Sequence, residues 1–88
     1  MISIPSNLID EIIDHSIQEN PNECCGILAG NGEAISAVYR VKNSTPSPFR
    51  YVMDPKDQMN VMRETDDLGL DLIAFYHSHT HSPAYPSE

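Results

Sequence analysis

Two histidines and a glutamate carry the reactive pattern of this 88-residue chain. The segment Phe75-Tyr76-His77-Ser78-His79 closes an apolar run. Strand side chains alternate with period 2, so His77 and His79 face the same way, roughly 6.6–6.8 Å apart along the backbone. Rotamers can close that gap until both ring nitrogens reach one zinc ion at about 2.0–2.1 Å. A zinc hydrolase also needs an open metal position, a water, and a base to take that water's proton. Glu23 is the best base candidate, because it stands at the start of the apolar run from Cys24 to Ala29. A carboxylate is out of place there unless it lines a site. Each feature alone has a plainer reading, since histidines near strand ends have many uses and strand-start acids often face water.

The elements that must position these residues follow from periodicity. Leu8, Ile9, Ile12, Ile13 and Ile17 recur on one helical face, with Ser6 or Asn7 as cap and Asn20-Pro21 as stop. His15 lies in that helix, and no function is assigned to it. Two strand-like runs, Cys24 to Ala29 and Ala34 to Val41, flank Gly30-Asn31-Gly32 and read as a hairpin. Asn43 to Pro48 has loop chemistry, and Phe49 to Met53 can form a third strand. Asp54-Pro55 starts a second helix that ends near Gly69, with Met59 and Met62 as its core fillers. Leu70 to Tyr76 is the strand that delivers the histidines. The order helix, strand, strand, strand, helix, strand makes one α+β unit.

Composition narrows the functions. The net charge of −8, with only five Lys and Arg, argues against a nucleic-acid partner. The acidic stretch of Glu64, Asp66, Asp67 and Asp71 reads as a solvated helix end and turn. No apolar stretch approaches the length of a membrane span, and the N-terminus lacks a secretory layout, so the expected location is the cytoplasm. Cys24 and Cys25 are adjacent and form no framework of bridges, which fits a reducing compartment. Neighbouring strand residues face opposite sides, so the pair is read as buried structural thiols rather than as zinc ligands or nucleophiles.

Taken together, Glu23 with Cys25-Gly26-Ile27-Leu28, and His77-Ser78-His79 followed by seven residues and Ser87, resemble the JAMM (MPN+, JAB-domain) metallopeptidases. The stretches from Asn20 to Gly26, from Tyr76 to Thr80 and from Ala84 to Ser87 look most like the small bacterial branch, which acts on ubiquitin-like sulfur-carrier proteins. The resemblance implies a mixed β-sheet flanked by helices, incomplete at its C-terminus. It implies His77 and His79 as Zn2+ ligands and Glu23 as general acid/base. It implies Ser87 as hydrogen-bond donor to the oxyanion, and a ubiquitin-like or sulfur-carrier substrate cut at its C-terminal amide or isopeptide bond, for example to release cysteine. The third ligand of the family, an aspartate, falls at position 90; Glu88 stands two positions early. His81 continues the alternation of His77 and His79, but Ser82-Pro83 suggests that the strand has ended.

Two rivals stay open: a catalytically silent MPN-type scaffold, and a non-enzymatic metal-binding domain built on His77, His79 and His81. Two imidazoles are one ligand short of the three usual for catalytic zinc. The 88-residue chain should therefore bind zinc weakly, and a chain extended through an aspartate at position 90 much more tightly. Isothermal titration compares the two. Equal affinities would place the third ligand within the chain, at His81 or Glu88.

Overall fold

A computed structural model describes residues 2–45, 47 and 49–78. The elements run α1 (Ser6–Glu19), β1 (Cys25–Asn31), β2 (Ala34–Val41), α2 (Pro55–Leu68) and β3 (Asp71–His77). The three strands form one sheet in the order β2-β1-β3, antiparallel at both pairings. The sheet expected to be mixed is thus antiparallel through its described strands. One isolated parallel bridge, Ser3 to Ala34, lies outside them.

Burial follows the pairing. Central β1 is buried from Cys25 to Gly30 because it has a strand on each side and an element over each face. On one face Cys25, Ile27 and Val41 pack with Val61 of α2, and Tyr39, Tyr51 and Met53 close around them. On the other face α1 approaches through His15, its one buried residue. Leu8 and Ile12 are half-buried, but Ile9, Ile13 and Ile17 are exposed. The apolar stripe read from the sequence is therefore wider than the contact it makes.

The helix ends separate what local chemistry dictates from what it does not. Asp54 caps α2 as expected, its carboxylate accepting the Asp57 N–H at 3.0 Å, and Gly69 closes it at φ 70°. Helix α1 instead has Pro5 at its N-cap with no side-chain hydrogen bond, so neither Ser6 nor Asn7 serves as cap. The hairpin forms, but its two turn residues are Gly32 and Glu33, one step later than Gly30-Asn31-Gly32 suggests. Gly32 has φ 62°, the left-handed region that a tight two-residue turn demands of its first central residue. Met59 and Met62 are not core fillers, being 60% and 49% exposed; Val61 and Thr65, one turn apart, form the buried stripe of α2.

Phe49 to Met53 makes no strand, only a bridge from Met53 to Asn43. The Asn43 side chain takes the Val52 N–H at 2.9 Å, so a local side-chain bond replaces ladder pairing. The end of β2 is also tied to α2, because Asp57 accepts the Lys42 N–H at 3.0 Å and Asp54 donates its N–H to the Lys42 carbonyl at 2.8 Å.

His15 joins helix to sheet. Its Nδ1 and the Tyr76 hydroxyl share a hydrogen bond of 2.8 Å, and the rings meet edge to face. Tyr76 lies opposite Gly26 in the ladder, and a Cβ at Gly26 would overlap the Tyr76 ring. Glycine is therefore required there by close approach rather than by backbone angle. Arg40 adds ion pairs from β2 to Glu11 at 2.6 Å and Asp14 at 3.2 Å. These are solvent-accessible and screened, so they orient α1 more than they stabilise it.

Two stability predictions follow from this packing. Ile27 is fully buried between strands and helix. Ile27→Ala should cost about 2–5 kcal/mol in urea unfolding, and a loss well below that range would mean the core collapses around the gap. Burial first, and then the Arg40 charge, hold His15 below its ordinary pKa of 6.5, against the opposing pull of Glu19, Glu11 and Asp14. The unfolded chain then takes up this proton first as pH falls through about 6.5, so folding stability should drop below that pH. His15→Gln, which cannot titrate, should flatten the decline. An unchanged pH slope in urea midpoints between pH 7.5 and 5.5 would assign it to other groups.

Candidate active site

Glu23 enters the site from just ahead of β1, where it is only 6% exposed. Its backbone is held on both sides. The Glu23 N–H donates to the Ser47 carbonyl at 2.8 Å, and the Glu23 carbonyl accepts Asn43 Nδ2 at 3.1 Å. Asn43 serves as a hub, its Oδ1 also accepting the N–H groups of Thr45 at 3.0 Å and Val52 at 2.9 Å. One amide side chain thereby fixes both the loop after β2 and the residue proposed to move protons.

His77 is the last residue of β3 and pairs directly with Cys25. Glu23 lies two residues before Cys25, so alternation puts Glu23, Cys25 and His77 on one face. The result is a carboxylate facing an imidazole, with Glu23 Oε1 and His77 Nδ1 3.8 Å apart. That distance is too long for a hydrogen bond but within reach of a charge contact between carboxylate and imidazole. Tyr51 stacks on the His77 ring with centroids 4.6 Å apart and planes 28° from parallel. The tyrosine covers one face of the imidazole ring.

The donor types fit a zinc centre, since an imidazole nitrogen and a carboxylate oxygen are both groups that zinc accepts. Among the described residues no cluster of three or more His, Cys, Asp or Glu side chains that could hold a metal is assembled. His79, the expected second ligand, and Ser87, the expected oxyanion donor, lie outside the described residues, as do His81 and Glu88. Of the four residues assigned from the sequence, the structure thus brings together Glu23 and His77.

The cysteines behave as structural thiols. Both are free and buried, and Cys25 Sγ contacts the Val41 carbonyl at 3.5 Å. Burial, reinforced by the neighbouring Cys24, pushes the Cys25 thiol up to about 11, and burial also raises Cys24. A thiolate is disfavoured at both, which leaves neither as nucleophile. A cleft of about 420 Å³ beside Cys24, between His15, Arg40 and Asn43, does not include Glu23 or His77 among its walls.

Sequence reasoning missed Asn43 and Tyr51. Asn43 had a readable signal, an Asn at a strand end before Ser-Thr-Pro, where an Asx turn is favoured. Tyr51 had none, because its role depends on a ring 26 positions away in the chain.

Known proteins resemble the chain over nearly its whole length. The chain is 31% identical to the desampylase of Haloferax volcanii over 98% of its own length and 67% of that protein's. It is 32% identical to the CysO-cysteine peptidase of Mycobacterium tuberculosis, over 99% and 61%. The solution structure of protein DSY2949 from Desulfitobacterium hafniense superposes with a TM-score of 0.86 at 33% identity, covering 99% of this chain and 62% of that one. The chain therefore spans about three fifths to two thirds of the length of these relatives. The pattern that defines the prokaryotic homologs of the JAB domain matches residues 5–88, with Glu23 and His77 inside the match, and the chain belongs to that family.

Proposed function

We propose that this chain carries the catalytic centre of a zinc-dependent peptidase that hydrolyses an amide or isopeptide bond at the C-terminus of a ubiquitin-like or sulfur-carrier protein. The observation that carries the reading is the buried Glu23 carboxylate, 3.8 Å from His77 on the same sheet face. The substrate class is the one the family resemblance implies, and relatives named desampylase and CysO-cysteine peptidase support it. The two free, buried thiols suit a reducing cytoplasm.

In this reading His77 and His79 hold the metal. Zinc, when bound, supplies Lewis acidity that makes hydroxide available near neutral pH. Glu23 takes the proton of the attacking water on its carboxylate and later gives it to the leaving amine. Asn43 and Ser47 anchor its backbone, so the main-chain position from which the carboxylate projects stays fixed between the two transfers. Tyr51 holds the His77 ring plane. Ser87 donates a hydrogen bond to the oxyanion of the tetrahedral intermediate, and loss of such a donor typically costs about 3–4 kcal/mol of transition-state stabilisation.

The test is made on zinc-loaded protein that carries the aspartate expected two residues past Glu88. Turnover is read by mass spectrometry as release of the C-terminal residue or adduct from a ubiquitin-like carrier. Glu23→Gln should keep zinc and lose about 10²–10⁴-fold in rate, because shape is preserved while the base is removed. His77→Ala should lose metal and activity together. Near-normal turnover in Glu23→Gln would reduce Glu23 to a strand-start carboxylate and defeat the mechanism.

A further inference from the structure

The pairing of β1 with β3 continues one step past the strand ends, and it does so through a side chain. In a hydrogen-bonded antiparallel pair, the two residues exchange both backbone N–H···O=C bonds. The register of β1 and β3 ends at Cys25 and His77, and Cys24 and Ser78 stand at the next position, just outside both strands. The Ser78 N–H donates to the Cys24 carbonyl at 3.1 Å, as a ladder requires. The Cys24 N–H, however, donates to Ser78 Oγ at 2.9 Å. The serine hydroxyl thus stands where a backbone carbonyl would, and β3 is clamped to β1 at its last step.

The clamp sits between the two reactive groups. Glu23 immediately precedes Cys24, and His77 immediately precedes Ser78. Any slip or fraying at the Cys24–Ser78 step therefore moves both ends of the 3.8 Å gap between Glu23 and His77. Water cannot easily replace the hydroxyl, since Cys24 is only 2% exposed and a buried N–H needs an acceptor close by. The type of residue matters for the same reason. Serine and threonine carry an acceptor at the γ position, whereas alanine leaves the Cys24 N–H without this partner.

From this geometry we infer that Ser78 is a positioning residue, whose hydroxyl sets the separation and orientation of Glu23 and His77 by accepting the Cys24 N–H. It touches neither reacting atom; it acts through the strand step that carries them. Its consequence for metal binding rests on the function proposed above, but its consequence for geometry does not.

The experiment compares the full chain with Ser78→Ala and Ser78→Thr. Amide exchange at Cys24 and the nuclear Overhauser contact between the Tyr51 and His77 rings report geometry without metal. Ser78→Ala should lose Cys24 protection and weaken the ring contact, while contacts between Ile27 and Val61 persist. Ser78→Thr should restore both. Zinc titration, made on protein that carries the aspartate expected two residues past Glu88, should show about tenfold weaker binding for Ser78→Ala and near-normal binding for Ser78→Thr, the scale typical of residues that orient a metal ligand. Unchanged Cys24 protection and ring contact in Ser78→Ala would overturn the proposal, as would a threonine variant that behaves like alanine. If wild-type protein that carries the aspartate expected two residues past Glu88 took up no zinc while the alanine effect on geometry remained, the positioning role would stand and the metallopeptidase reading would fall.

Discussion

The register between β1 and β3 is the constraint on which the rest depends. Placing Cys25 opposite His77 puts Glu23 and His77 on one face and Gly26 and Tyr76 on the other. A slip of one residue would turn His77 away from Glu23 and point Tyr76 into the hydrophobic cluster around Ile27. Register shifts do occur in this sheet, between Ala29 and Gly30 toward β2 and between Leu28 and Ala29 toward β3. Both lie at the far end of β1, so the irregularity is kept away from the reactive pair.

Each face of the sheet has its own way of holding that register. On one side the cluster of Cys25, Ile27, Val41 and Val61 is apolar and nondirectional. It favours compactness but would tolerate small shifts. On the other side the contact is directional. Tyr76 crosses the space left open by Gly26 and bonds to His15, a geometry that a shifted strand cannot reproduce. The hydrogen bonds between Cys24 and Ser78 add a second directional tie at the strand end. Burial thus stabilises the sheet, while these three polar contacts decide where its reactive groups lie.

The loop between β2 and α2 plays a comparable part. Asn43 replaces a stretch of ladder with bonds from one side chain, and the same amide reaches the backbone of Glu23. The loop then brings Tyr51 over the His77 ring. A regular third strand in this position would have satisfied its own amides in a ladder and left the Asn43 amide group without these backbone partners. The departure from regular structure is what couples the loop to the site.

Much of this molecule was determined by the chain itself. Asp54-Pro55 and Gly69 bound the second helix through local capping chemistry, and alternation placed His77 at the end of an apolar strand. Glu23 with Cys25-Gly26-Ile27-Leu28, and His77-Ser78-His79 followed by seven residues and Ser87, resembled the family to which the chain belongs. What the sequence could not supply were features that depend on distant partners. Met59 and Met62 were read as core but lie exposed, because helix rotation is set by which stripe meets the sheet, here Val61 and Thr65. Phe49 to Met53 had strand composition, yet the Asn43 amide captured its backbone. His15 looked incidental until Tyr76, 61 positions away, supplied its hydrogen bond. Local propensity and periodicity are written into neighbouring residues, whereas register, helix rotation and side-chain pairing are settled only when separate segments compete for the same space and the same hydrogen bonds.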